Sequence, residues 1–410
     1  MVHGNNCCVP LLLLLLGVLP SLASLGSTSP HALGSVGGGA SANGIRRALV
    51  GASGRIAVVN DIAGHFEVLV SVVHVLRQIG VSPHIYYEGR EDAPDSLGIK
   101  AWMGQDGPEP VWHPMRLLPP GAEEPAAVVM CISAEMAPAV CQERVAALKP
   151  SLLVLWVHRA DTATATSKML SLHSKLRLVA LAPHVATLAQ TRMKRPVTWD
   201  MPLAPYVSDA PCEELSCLRG FVVQGALRKY KSKVAAGFTR NYTALWEEMV
   251  AREPPAGTPR VQVCVLGKGG FRNQLGIPPA IDADVEYLTM LPYPEFWGRI
   301  YRSLALVPAF GMPVYLESRI SSTITASLLT GTPLIADAQL MKVYSFLAPE
   351  HVFMKQSGEN DVAAMYRILT LPLAEVMAKR RAVAALAARL NAQAATDFRE
   401  MLREGGVTVS

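Results

Sequence analysis

This 410-residue chain has no lysine–arginine tract, and its formal charge of +5 is small for its length. Nothing therefore points to a nucleic-acid partner, and a modest preference for anionic ligands is the most the charge supports. No repeat of fixed period appears, which argues against a solenoid. Cys131, Cys141 and Cys264 match no zinc spacing. Only 17% of the residues are charged and 50% are hydrophobic, so a large core can be buried, and the length suggests two domains of ordinary size.

The N-terminus, "MVHGNNCCVPLLLLLLGVLPSLAS", carries an apolar run shorter than the ~20 residues of a membrane span and a Ser21-Leu22-Ala23 cleavage pattern. It has the build of a secretory signal. Its polar start lacks Lys and Arg, so an uncleaved membrane anchor stays open for residues 1–23. Residues 24–53 are Gly, Ser and Ala with little bulk, which predicts a flexible stem. The expected address is the secretory pathway, in the Golgi or ER lumen, or secretion. There cysteines oxidise, Cys212 with Cys217 being the closest later pair, and Asn241-Tyr242-Thr243 becomes a glycosylation sequon.

From residue 54 the chain alternates. "RIAVVNDIAGHFEVLVSVVHVLRQIGVSPHIYY" predicts strand, loop, helix, a Gly80 stop and strand. "AAVVMCIS", "LLVLWVH" and "KLRLVALAP" follow as continuous apolar runs, the pattern of strands covered on both faces of a parallel sheet. Residues 54–208 are expected to form a Rossmann-like domain. A Pro- and Cys-containing link leads to a second α/β series over 215–373, and an Ala-rich helix occupies 374–410. The fold class is α/β, two Rossmann-like domains facing each other across a cleft.

Ligands of open parallel sheets bind beyond the carboxyl ends of the strands. In the second half those loops hold Gly225 with Arg228 and Lys229, Gly267 with Lys268, and "YLESRISST" with Glu317, Ser321, Ser322 and Thr323. Glycines permit close backbone approach, cations balance phosphate, and hydroxyls at a helix start go with amides that attract anions. "SST" also reads as an ordinary helix cap.

The order "GFVVQG…RNYTALWEEM…VQVCVLGKGG…VEYLTMLPYPEFWGRIYRSLALVPAFG…YLESRISSTITASLLTGTPLIAD", over roughly 220–350, resembles the nucleotide-binding half of GT-B glycosyltransferases. The resemblance implies that Ser321, Ser322 and Thr323 meet the diphosphate of a nucleotide-sugar donor, and that Gly331-Thr332-Pro333 closes the helix into the next strand. The chain departs from the family at the E-x7-E pair: the slot of the second, ribose-holding Glu is near Ala326, and Glu317 is offset by one from the first.

In the N-terminal half "NDIAGHFEVLV" puts His65 at a helix start, matching the "GH" that GT-B transferases often carry in this loop. An imidazole there suits removal of an acceptor proton; a cap or packing role is equally open from the residues alone. His158, beside Arg159 and Asp161, and His184 also follow strands and are candidates for the cleft or for satisfied structural histidines. Asp282-Ala283-Asp284 has a metal-binding look but more often arises in solvated loops, and no metal site is expected.

These observations together predict a glycosyltransferase of the hexosyl type. Its nucleoside diphosphate sugar is a co-substrate with no resident cofactor, its acceptor a hydroxyl of a glycan, protein or small molecule, and no nucleic acid takes part. An epimerase or phosphorylase of the same fold, and a non-catalytic binding protein, are the alternatives.

Overall fold

The computed structural model describes residues 54–118, 123–162, 170–226, 229–231, 236–270 and 272–409. The expected signal or anchor, the stem and Arg228 lie outside them. No helix among the described residues is long and apolar enough to cross a membrane.

The first half is a seven-stranded sheet in the order β3-β2-β1-β4-β5-β6-β7. Its strands are β1 (Ile56–Asn60), β2 (His84–Tyr87), β3 (Val111–Pro114), β4 (Val128–Cys131), β5 (Leu152–Val157), β6 (Leu176–Ala180) and β7 (Thr198–Trp199). Every pairing is parallel. β1, β4 and β5 are buried along their whole length, because helices cover both faces and unbroken apolar runs are what such strands require. The helix Phe66–Gln78 buries Val68, Leu69, Val72, Val73 and Leu76. It ends at Gly80, whose φ of +83° lets its amide reach Arg77 O at 3.0 Å and sends the chain into β2.

The second half is a six-stranded parallel sheet in the order β12-β11-β8-β13-β14-β15. It comprises β8 (Phe221–Ala226), β11 (Val263–Lys268), β12 (Val285–Thr289), β13 (Ala305–Leu306), β14 (Leu334–Ala336) and β15 (Val352–Met354). Between β8 and β11 an antiparallel hairpin, β9 (Lys229–Lys231) with β10 (Ala236–Phe238), precedes the helix Tyr242–Ala251. Asn241 caps that helix by accepting from the Ala244 amide at 3.2 Å. Both halves therefore share the order of the doubly wound fold, whose ligand edge is the carboxyl end of the strands.

The C-terminal helix, Leu373–Glu404, is a strap rather than an appendix. On the second lobe Arg380 donates to the carbonyls of Tyr301 and Ser303. Asn391 grips both backbone groups of Leu203 in the inter-lobe link at 2.7 Å, and Phe398 packs on Trp156 of the first lobe. Arg177 of β6 pairs with Glu400 and Glu404. Two disulfides form: Cys212–Cys217, the closest later pair in sequence, and Cys131–Cys141, which ties the end of β4 to the helix Pro138–Leu148; Cys264 is free and buried.

Candidate functional site: two strand-end clusters

In the first lobe the loops after β1, β4 and β5 converge. His65 follows the β1 loop with a φ of +52°, a left-handed backbone uncommon for a side-chain-bearing residue. The Asn60 side chain donates Nδ2 to Gly64 O at 3.0 Å and holds that turn. His65 Nδ1 lies 2.8 Å from Ser133 Oγ, and its ring stacks on His158 with centroids 4.4 Å apart. His158 Nε2 sits 2.6 Å from the Ile132 carbonyl and so carries the proton there. Burial lowers the pKa of both rings: for His65, Glu67 opposes and Arg159 adds to the shift, and for His158 the neighbouring His65 adds to it. Neutral imidazoles at pH 7 are the result.

Beneath them are carboxyls the sequence reading passed over. Glu135 accepts the His158 amide at 3.0 Å through Oε1, while its buried Oε2 has no partner among the described residues. Burial pushes its pKa up to about 7. Asp61 is 2% exposed and its carboxyl oxygens make no close hydrogen bond among the described residues; burial, then the charge of Glu135, raises it well above the usual range, with nearby backbone amides partly opposing. Buried titratable groups shifted together at a strand-end edge are a signature of functional sites. Their only sequence signal is position, directly after β1 and β4.

In the second lobe β8 and β11 run in register so that Gly225 pairs with Gly267, and Ala226 with Lys268. Lys268 is exposed. Lys229 lies in β9, beyond the end of β8. The helix Ser322–Thr330 starts at the same edge with Ser321 as its cap.

The hydroxyls of Ser321 and Thr323 turn inward rather than toward a ligand. Both residues are 0% exposed, and both accept from Arg240 Nη2, at 3.4 and 2.7 Å. Ser322 is half-buried and donates to Gln224 Oε1. Two of the three backbone amides are satisfied internally as well. The Ser321 amide is taken by the Tyr344 hydroxyl and the Thr323 amide by Ser321 Oγ, which leaves the Ser322 amide without a partner among the described residues.

Arg240 is the residue that motif reading missed. It is 2% exposed, sits against Phe310 and Tyr315, and donates Nε to Gln224 O at 3.0 Å, yet no carboxylate pairs with it among the described residues. Burial lowers its pKa, with Tyr315, Tyr242 and Tyr344 opposing. A Cβ on Gly225 would stand 3.0 Å from Arg240 Nη2, so glycine there lets the strand end run directly over the cation. A buried positive charge and a helix amide, neither with a partner of opposite kind among the described residues, and a glycine edge together make an anion-attracting floor.

The remaining candidates separate. Glu317 is exposed at the end of a four-residue helix and forms no ion pair among the described residues. Ala326 is buried, so no carboxylate stands at that slot. Asp282 pairs with Arg272, and Asp284 with Arg260 and Gln262; both lie just before β12, at the amino edge of the sheet, away from the cleft. Asp161 and His184 both meet the segment that leads into the hydroxyl helix.

No family model and no curated protein sequence matches the chain. Among solved structures, Anabaena HepE in complex with UDP and glucose aligns with 85% of this chain and 100% of its own, at 14% identity and a TM-score of 0.53. The phage T4 BGT structure with UDP and Mn2+ aligns with 85% of this chain and 99% of its own, at 10% identity and a TM-score of 0.50. This likeness concerns architecture. The chain has the GT-B fold, two Rossmann-like lobes with their carboxyl strand edges turned to one cleft.

Proposed function

We propose that the protein is a glycosyltransferase that passes a hexosyl group from a nucleoside diphosphate sugar to a hydroxyl acceptor. The observation that carries this reading is the buried, carboxylate-free Arg240 under Gly225 and the free Ser322 amide, in a GT-B lobe opposite the His65–His158 pair. Charge develops on the leaving diphosphate during transfer, and a fixed cation with an oriented amide stabilises it without reorganisation. On the other lobe, the His65 tautomer protonated at Nδ1, which donates to Ser133 Oγ, leaves Nε2 as the proton acceptor for an acceptor hydroxyl, and the stack on His158 fixes the ring plane. HepE was captured with UDP and glucose, so UDP-glucose is the first donor to try. The two disulfides support a secretory-pathway address, where the N-terminal segment acts as signal or anchor and Asn241, exposed at its cap position, carries a glycan.

A second reading, a non-catalytic nucleotide-sugar binder, is favoured by Ala326, where a ribose-holding carboxylate is lacking. Calorimetry with UDP and UDP-glucose, alongside a transfer assay over a panel of hydroxyl acceptors, separates the two. A transferase binds donor and turns it over only with acceptor. In His65→Ala, kcat/KM should fall at least about a hundredfold while the donor dissociation constant stays within twofold, and the wild-type acid limb should have its midpoint below the ordinary histidine value of 6.5 because burial lowers His65. If no nucleotide shifts melting at millimolar concentration, both readings fail.

A further inference from the structure

The segment 318–320 belongs to the second lobe by sequence, but its hydrogen bonds go to the first. Ser318 O accepts from the Ala160 amide at 2.9 Å, and the Ile320 amide donates to His158 O at 3.4 Å, around an antiparallel bridge between Arg159 and Arg319. His184 Nε2 donates to Arg319 O at 3.1 Å. The side chain of Arg319 crosses to Asp161, with Nη2 at 2.5 Å and Nε at 3.0 Å from Oδ2. This is a two-point carboxylate–guanidinium contact, half-buried on both sides, and therefore directional rather than merely attractive. One residue further on, Ser321 caps the helix over Arg240, and His158, which closes the other end of the strip, is the ring stacked on His65.

We infer that the Asp161–Arg319 pair is a clamp that holds segment 318–320 as an added strand on the first lobe and thereby fixes the distance between the donor floor and His65. The positional part of this inference rests on the transferase reading. Neither residue touches reacting atoms; both act as positioning residues through the short chain from Arg319 to Ser321 and from Ile320 to His158. Transfer depends on placing acceptor, base and leaving group to within a fraction of an ångström, so loss of the clamp lowers the chemical step while the donor floor itself stays intact.

The test uses the full chain as wild type, Asp161→Asn, Arg319→Gln and the double exchange Asp161→Arg with Arg319→Asp. Hydrogen exchange is followed on peptides covering 156–162 and 316–322, UDP binding by calorimetry, and transfer from UDP-glucose. Each single variant should speed exchange of the Ala160 and Ile320 amides at least tenfold and lower kcat about tenfold, with the UDP dissociation constant within twofold. The double exchange should restore both protection and kcat. Unchanged exchange in the single variants refutes the clamp, and so does a double exchange that restores neither. Loosened exchange with unchanged kcat refutes the positional role. A wild type that transfers nothing sinks the transferase reading instead and the positional role with it, and the exchange measurements still decide whether the clamp exists.

Discussion

Replacing Arg240 by Met separates a structural cation from one kept for a ligand. The mutation removes close hydrogen bonds to Gln224 O (3.0 Å) and Thr323 Oγ1 (2.7 Å) and the contacts with Phe310 and Tyr315, centroids 5.4 and 5.2 Å away. Charged hydrogen bonds contribute roughly 1.5–3 kcal/mol each and the ring contacts about 1. Against this stands the desolvation of a buried charge with no carboxylate nearby, several kcal/mol, which Met does not suffer. The opposing terms nearly cancel, so the ligand-free protein should change in stability by less than about 2 kcal/mol. Binding has no such compensation. A phosphate roughly 6 Å from the guanidinium at an effective dielectric of about 20 gains close to 3 kcal/mol, worth about a hundredfold in affinity. Calorimetry with UDP and urea unfolding without it measure the two effects separately. The reasoning is refuted if Arg240→Met keeps UDP affinity within threefold, or if it unfolds the free protein while Arg240→Lys does not rescue UDP binding.

Two further predictions concern the strand ends. Gly225→Ala forces a side chain onto a residue with φ of +152° and puts Cβ 3.0 Å from Arg240 Nη2; stability should fall by roughly 1–3 kcal/mol in urea unfolding, with weaker UDP binding because the guanidinium is displaced. For Glu135 the native pKa is raised from 4.5 to about 7, so the folded protein holds the proton more tightly than the unfolded chain. Its contribution to stability is fully present below about 4.5 and declines as pH rises through 7. Glu135→Gln removes that slope. The variant should gain on wild type by up to roughly 3 kcal/mol between pH 4.5 and 7.5, and a difference that stays flat with pH would show that Glu135 is not held protonated.

The strands β1, β2, β4, β5, β6, β8, β11, β13 and β14 and the helices at 66–78, 242–251, 293–301, 322–330 and 373–404 correspond to segments readable from apolar runs and their stops. β3, β7, β9, β10, β12 and β15 are short or lie at sheet edges or in a hairpin, where burial on one face leaves little pattern. The loops that matter were also legible, because a parallel sheet dictates which strand ends face ligands. Which side chains in those loops do what was not. "SST" reads as phosphate-binding hydroxyls or as a cap, and the structure places two of the three hydroxyls on Arg240, a residue whose local sequence, "FTRNYTALW", announces nothing.

The two α/β halves, the loops that follow their strands, and His65 at the entrance of its helix were legible in the residues alone, since hydrophobic periodicity and Gly or Pro stops are local properties of the chain. It took the packed lobes to show that Arg240 is buried with no carboxylate beside it among the described residues, that Asp61 and Glu135 are desolvated near the histidines, and that Arg319 reaches across to Asp161. Charge without compensation is a property of what surrounds a residue in space. Arg240 meets Ser321 from 81 positions away and Arg319 meets Asp161 from 158 positions away, contacts that exist only when both sheets have formed.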